Sequence, residues 1–331
     1  MVPIEKRSVV EKALQVAFGT STTEEASPMT GGISSALRYR VQIAGQKCVV
    51  RLVMMRDALR DPARHYSCLE LASTAGIAPS VLYTNAKDGI SITRFVQPPP
   101  RSPGPILLLP LAYSIRQIHA LPPFPHMVGF LDWVDNLIES FKASALLPEA
   151  LTEEHFRYYA QIQRFYPRTD LDTVSSHNDL NPGNLIFDGT KLWIVDWESA
   201  FRGDRFVDLA IAATNFMQDE AEIEPFLQAY FGVGLNDYLR DRFFLMRRVS
   251  EMYYALGFMS VASSRSPLMV ADASMETPTL AQWRAKVGTG ESRSTSEGQV
   301  LVGKVFINEC LRWMKTPRFE MALTRMGVGR I

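Results

Sequence analysis

Cysteine is scarce in this sequence: there are three, Cys48, Cys68 and Cys310, odd in number, widely spaced and set in apolar surroundings. They offer neither a disulfide framework nor a zinc-ligand spacing, and read as reduced core residues of a cytosolic protein. Net charge is missing as well. Lys plus Arg and Asp plus Glu number 35 each, so no overall field favours nucleic acid or an anionic membrane, while a local basic site for phosphates stays open. Long hydrophobic runs are also absent. The longest, Ile106 to Tyr113, contains Pro110 and falls far short of the roughly 20 residues of a spanning helix, so no membrane anchor is expected. Met1 to Arg7 lead into a charged helical pattern, which predicts no signal peptide and a cytoplasmic location. There is no internal repeat.

What the chain does have is apolar material: 47% of its 331 residues are hydrophobic, enough for two lobes with packed cores. Leu37, Tyr39, Val41 and Ile43 alternate with polar residues, Ala44-Gly45-Gln46 turns the chain, and Lys47 to Met54 returns it as a hairpin. Asp61-Pro62 supplies an N-cap and a first helical residue, and the apolar stripe of Cys68, Leu71, Ala72 and Ala75 stops at Gly76. Val81 to Tyr83 and Ile90 to Val96 predict two more strands around the turn Asn85 to Gly89. Residues 31 to 97 thus form a mostly β lobe. The run Pro98 to Pro105 can continue neither helix nor ladder and sets a boundary between residues 1–97 and 98–331. Beyond it, 106–120, 130–145, 152–165, 205–218, 221–231, 237–262 and 299–315 have helical spacing, and 174–198 is the only strand-rich interruption. Ser292 to Gly298 reads as a mobile loop. The expectation is an α+β chain with an antiparallel β N-lobe crossed by one helix and a mainly helical C-lobe.

The chemistry sits in His177-Asn178-Asp179-Leu180-Asn181-Pro182-Gly183-Asn184 and, after it, Asp196-Trp197-Glu198. An aspartate five residues before an asparagine, with a second aspartate closing the next strand, is the order that kinase-type phosphoryl transfer needs. Asp179 is the candidate base for a substrate hydroxyl. Asp188-Gly189-Thr190 is a hairpin turn, so Asn184 and Asp196 lie together at the open end, where their oxygens suit magnesium on ATP. Taken singly, Asp179, Asn181 and Asn184 also fit a capping role around Pro182-Gly183. His177 is read as a structural histidine whose ring hydrogen-bonds the backbone of this loop, not as a metal ligand. Thr30 to Ser35, with Gly31, Gly32, Ser34 and Ser35, is either a plain turn or a cover for nucleotide phosphates. Arg51, on the returning strand of the hairpin that follows, is either a phosphate contact or a solvated strand charge.

These residues resemble the phosphotransferase superfamily that contains aminoglycoside phosphotransferases and choline or ethanolamine kinases, through Ser176 to Asn184, Ile194 to Glu198 and Phe206-Val207-Asp208-Leu209-Ala210. The resemblance spans the Gly31-Gly32 loop to about residue 262 and leaves the last seventy residues uncovered. It implies a protein-kinase-like two-lobe fold, ATP and Mg2+ as cofactors, a basic residue at position 51 on the α and β phosphates, and Asp208 as a brace for the catalytic loop. Asn178 and Glu198 look more like the choline and ethanolamine branch, because aminoglycoside enzymes usually show glycine at the first of these positions. The implied substrate is a small-molecule alcohol, with no nucleic acid partner.

Two departures stand out. Where the family places a helix glutamate about eleven residues before Gly76, this chain has His65, and Glu70 faces the opposite side. Asp57 or Asp61 are the alternatives for the missing acid. In place of the tryptophans that surround choline in eukaryotic enzymes, Ser250 to Phe258 puts Tyr254 and Gly257 at the matching positions. Tyr254, Glu251, Trp197 and Glu198 are therefore candidates for holding a cationic substrate, with a core role for the aromatics left open. An antibiotic kinase and a nucleotide-binding pseudokinase are the alternatives to an amino-alcohol kinase. The late helices show no acidic cluster of the kind that polycationic sugars need.

Overall fold

The computed structural model describes residues 2–29, 36–58, 60–98, 108–169, 172–267, 272–286 and 295–328. The turn at 30–35, with Gly31, Gly32, Ser34 and Ser35, and most of the proline run lie outside the described residues. Packing divides the chain into two units: Met1–Met127 with Val174–Asp208, and Val128–Thr173 with Leu209–Ile331. The expected boundary at 97/98 falls inside the first unit, which takes in Val174–Asp208 as well as the β lobe.

Among the described residues, the first unit is built on a five-stranded antiparallel sheet of β1 (Glu25–Pro28), β2 (Leu37–Ile43), β3 (Gln46–Leu52), β4 (Val81–Asn85) and β5 (Ile90–Arg94), in the order β1-β2-β3-β5-β4. The β2–β3 connection is a two-residue turn, Ala44 and Gly45, both at positive φ (49° and 70°), which matches the twist of the strands it joins. Period-two alternation delivers Tyr39, Val41, Ile43, Cys48, Val50, Leu52, Ile90 and Ile92 to a core shared with Val10, Ala13 and Leu14 of α1 (Ile4–Phe18). Each large apolar side chain buried there contributes about 1.5–3 kcal/mol. Strand β1 had no sequence signal that set it apart.

Helix α2 (Pro62–Thr74) begins where expected: the Asp61 carboxylate accepts from Ala63 N at 3.0 Å, and Pro62 needs no partner at the first position. Gly76, at φ 71°, ends it. His65, Cys68, Leu69 and Ala72 are buried, whereas Glu70 is exposed and accepts from Thr84 Oγ1. The unit also holds α3 (Leu108–His119) and two short ribbons, β6 (Thr173–Ser176) with β9 (Phe201–Asp204) and β7 (Leu185–Phe187) with β8 (Leu192–Ile194). Strand β9 extends the strand-rich region past 198, a correction to the expected limit.

The second unit is helical: α4 (Phe130–Ser144), α5 (Glu153–Phe165), α7 (Ile223–Phe231), α8 (Asp237–Arg265), α9 (Leu280–Lys286), α10 (Ser296–Met314), α11 (Pro317–Val328) and most of α6 (Arg205–Phe216). Helix α8 is the axis, packed by α4, α10 and α11. Gly303 of α10 permits close approach, since a Cβ there would lie 2.6 Å from Met259 Cγ and 2.9 Å from the Ala255 carbonyl. Asp241 of α8, fully buried, receives Arg318 and Arg325 of α11. Contrary to the loop expected over Ser292–Gly298, Thr295 caps α10 by accepting from Gly298 N at 3.1 Å, so Ser296 to Gly298 form its first turn. Residues 292–294 lie outside the described residues. Helices α9 and α11 were not anticipated. Among the described residues no helix is long and apolar enough to cross a membrane.

Candidate active site

The loop after β6 is held from below by Asp208 in the first turn of α6. Its carboxylate accepts from His177 N at 2.9 Å and Asn178 N at 2.7 Å, and from His119 Nε2 at 3.1 Å. Burial pushes the Asp208 pKa up, but the His119 hydrogen bond and charge and the neighbouring His177 outweigh it, so the group stays below its ordinary value and anionic. Burial lowers the His177 pKa, which makes the ring neutral; Nε2 donates to the Val195 carbonyl at 3.0 Å, and the ring meets Trp197 edge to face at 4.8 Å. His177 is thus a tie between the two halves of the motif. Asn178 sits at φ 60° and its Nδ2 donates to the carbonyls of Ser199 (3.0 Å) and Phe201 (3.3 Å). A left-handed residue there suits Asn or Gly and few others.

Asp179 accepts two side-chain amides: Asn181 Nδ2 on Oδ1 and Asn184 Nδ2 on Oδ2, both at 2.9 Å. Burial, and next the negative charge of Asp196, push its pKa up to about 7, against the pull of the two amides. A carboxylate tuned in this way is a competent proton acceptor near neutrality.

Asn184 closes the short turn Pro182–Asn184, which Asn181 caps by accepting from Gly183 N at 2.8 Å. With its amide hydrogens committed to Asp179, its Oδ1 is the atom left for a cation. The β7–β8 ribbon pairs Leu185 with Ile194, and Val195 N donates to the Asn184 carbonyl at 2.9 Å, so Asn184 and Asp196 do share its open end. At the other end the Asp188 carboxylate accepts from Thr190 N, Lys191 N and Trp193 Nε1, which fixes the turn. Asp196 has φ 60°, and its Oδ1 is buried without a hydrogen bond. A carboxylate oxygen with no hydrogen bond and only a long ion-pair contact to Arg51, together with an amide oxygen not used as an acceptor, fits a hard cation that takes its other ligands from phosphate and water. Among the described residues there is no cluster of three or more His, Cys, Asp or Glu that would hold a metal by protein ligands alone.

Arg51 on β3 is 7% exposed, which excludes the solvated-charge alternative. Its guanidinium pairs with Glu198, lies 3.5 Å from Asp196 Oδ1 and donates to His65 Nδ1 at 3.2 Å. Asp57 instead pairs with Arg60, and Asp61 is spent on the cap of α2, so neither replaces the family's helix acid. The Arg51–Glu198 pair, together with Arg64 Nη2 donating to the Glu198 carbonyl at 2.9 Å, was missed in the sequence. The acidic residue two places after Asp196 was its only local sign.

The expected substrate residues divide between the units, Trp197 and Glu198 in the first and Glu251 and Tyr254 in the second. Trp197 is fully buried, with Nε1 donating to the Ile194 carbonyl, so it presents no face to a ligand and its assignment as a substrate wall is corrected to core. Glu251, in the second unit, is also buried: it accepts from Arg248 at 2.8 Å, and burial pushes its pKa up to about 7 despite that arginine and Arg247. It too belongs to the interior. Tyr254 is half-buried, stacks on Phe306 at 5.4 Å and accepts from Asn215 Nδ2 at 2.8 Å.

Residues 25–244 match the model of the phosphotransferase enzyme family. No curated protein gives a significant match. The fold is similar to that of a choline/ethanolamine kinase family protein from Mesorhizobium loti, at 20% identity over 98% of this chain and 99% of that one, with a TM-score of 0.69. It is also similar to choline kinase LicA from Streptococcus pneumoniae (15% identity, 76% of this chain and 89% of that one, TM-score 0.56). A spectinomycin phosphotransferase solved with ADP and spectinomycin is a third relative in fold (15% identity, 90% of this chain and 98% of that one, TM-score 0.54).

Proposed function

Because the chain belongs to the phosphotransferase enzyme family, we propose that it uses ATP and Mg2+ to phosphorylate the hydroxyl of a small molecule, an amino alcohol of the choline or ethanolamine class. The observation that carries the reading is the Asp179 carboxylate, raised to about 7 and clamped by Asn181 and Asn184 beside the orphaned oxygen of Asp196. The choice of acceptor is supported by a fold shared over essentially the whole length, the last seventy residues included, with a choline/ethanolamine kinase family protein.

In this reading Asp179 orients the acceptor hydroxyl for in-line attack on the γ-phosphate and takes its proton late, since the transition state is loose. Asn184 Oδ1 and Asp196 would hold magnesium, which when bound would neutralise charge on the phosphates. Arg51 contacts the nucleotide phosphates; Gly31, Gly32, Ser34 and Ser35, which lie outside the described residues, are the sequence's candidates for covering them. Asp208 and His177 keep the loop in shape without touching substrate. Tyr254 is the aromatic that remains for a cationic headgroup.

ADP release measured across choline, ethanolamine, spectinomycin and kanamycin tests the proposal. Turnover with an amino alcohol, lost in Asp179→Asn, supports it. Turnover with an antibiotic and none with an amino alcohol reverses the acceptor class. Nucleotide binding with no turnover on any alcohol makes the protein a nucleotide-binding pseudokinase.

A further inference from the structure

We infer that Glu198 is the positioning residue for Arg51, from the metal-binding segment itself, and that α2 is pinned to that segment by Arg64 rather than by an acid of its own. The inference rests on the ATP-dependent reading above and adds how its phosphate-binding residue is held.

Arg51 lies in the middle of the sheet, paired with Arg38 on β2 and Ser91 on β5, so its backbone has no freedom to follow a moving helix. Among the described residues its side chain reaches Glu198, His65 and Asp196. His65 brings no charge, since burial and the Arg51 and Arg64 charges hold its pKa well below the ordinary value. A neutral ring facing a guanidinium can only accept at Nδ1. Glu198 is therefore the acid that fixes the guanidinium, and it is backed by Arg60 Nε at 3.8 Å. The polarity usual between helix and strand is inverted: α2 contributes the cation Arg64, one residue before His65.

Arg64 is buried, and its two terminal nitrogens donate to the carbonyls of Glu198 (2.9 Å) and Ala200. These carbonyls end the short turn Trp197–Ser199, where backbone partial charge is negative. Cys68 Sγ, one turn further along α2, lies 3.7 Å from the same Ala200 carbonyl. Side chain and backbone of one glutamate thus serve two arginines on two elements.

The arrangement has a cost that makes it testable. Arg51 Nη2 stands 3.5 Å from Asp196 Oδ1, the oxygen that the cation needs. With Glu198 neutralised, the guanidinium has one acid left, Asp196, and competes with magnesium for it. Glu198→Gln should weaken Mg·ATP binding by roughly tenfold, as expected when one partner of a largely desolvated charge pair is removed. It should also raise the magnesium concentration for half-maximal activity and leave the acceptor KM within about twofold. His65→Glu placed on Glu198→Gln returns a carboxylate from the helix side, and should recover most of the lost affinity and, with no ligand present, the lost Tm.

The experiment is calorimetric titration of wild type, Glu198→Gln and His65→Glu/Glu198→Gln with Mg·ATP, together with their melting temperatures in ligand-free buffer. Affinity of Glu198→Gln within twofold of wild type, or an effect on the acceptor KM alone, overturns the inference. If wild type binds no nucleotide, the ATP reading falls; the ligand-free rescue then still decides the pairing, and its absence overturns it. Should the double variant not fold, a Tm cycle of Arg51→Met, Glu198→Gln and both together replaces it: sub-additive losses support the pair and additive losses refute it.

Discussion

Asn184 Nδ2 donates to Asp179 Oδ2 at 2.9 Å and to the Asp179 carbonyl at 2.8 Å, so the asparagine proposed to hold the metal also fixes the carboxylate proposed to take the proton. One side chain, with donors on one atom and an acceptor on the other, couples base geometry to metal geometry.

Asp179→Asn removes the proton acceptor and leaves the phosphate contacts untouched. Turnover should drop by roughly 100-fold or more while Mg·ATP affinity stays within a few-fold, as read by steady-state kinetics and calorimetry. Near-normal turnover would show that the hydroxyl finds its base elsewhere.

The same variant carries a stability signature. The folded Asp179 pKa, about 7, lies above its ordinary 3.8. The folded state therefore binds more protons than the unfolded one between these values, and the stability this group lends at low pH is lost as pH rises through about 7. The Tm of Asp179→Asn minus that of wild type should grow between about pH 5 and about pH 8 in metal-free buffer. Mg·ATP should shrink that difference, because a cation on Asp196 cancels one cause of the raised pKa. A difference flat with pH would mean that Asp179 is already ionised at pH 5.

Asp196→Ala deletes a charged ligand from the proposed cation site. Magnesium-dependent ATP binding should fall below detection by calorimetry, and excess magnesium should not restore it. Unchanged affinity would remove Asp196 from the site.

Much of the molecule was legible because its signals are local. Alternation with a glycine-containing turn marked β2 and β3, Asp61-Pro62 marked the start of α2, and Asp188-Gly189 marked the ribbon that brings Asn184 and Asp196 together. The Arg51–Glu198 pair was not, since 147 residues separate its members and its one local sign is an acidic residue two places after Asp196. For Trp197 the sequence leaves both a ligand wall and a core role open, because an aromatic after Asp196 looks the same whether it faces a ligand or, as here, Phe124 and His177. Helix α9 is short and buries only Leu280 and Trp283, too few positions to show a period.

Asn178 resembles the choline and ethanolamine branch in sequence, and its φ of 60° gives it a backbone reason as well. Asn178→Gly keeps that conformation and loses the bonds to Ser199 and Phe201, so it should cost about 1 kcal/mol or less per bond and leave the acceptor preference alone. Asn178→Val adds strain of about 1–3 kcal/mol for a β-branched residue in the left-handed region. Melting temperatures should rank wild type, Gly, Val. A change of acceptor in Asn178→Gly would favour the marker reading.

Tyr254 separates ring from hydroxyl. Tyr254→Phe loses the bond from Asn215 but keeps the stack with Phe306 and Phe258, so Tm should fall slightly and the amino-alcohol KM should hold within about twofold. Tyr254→Ala removes the π face. Cation–π contacts are worth about 0.5–2 kcal/mol, so the KM for an amino alcohol should rise several-fold to about thirtyfold while the KM for ATP stays put. The loss of packing will lower Tm in the same variant, which is why the comparison is between two Michaelis constants of one protein. Equal shifts in both would identify Tyr254 as a core residue whose loss loosens the unit as a whole.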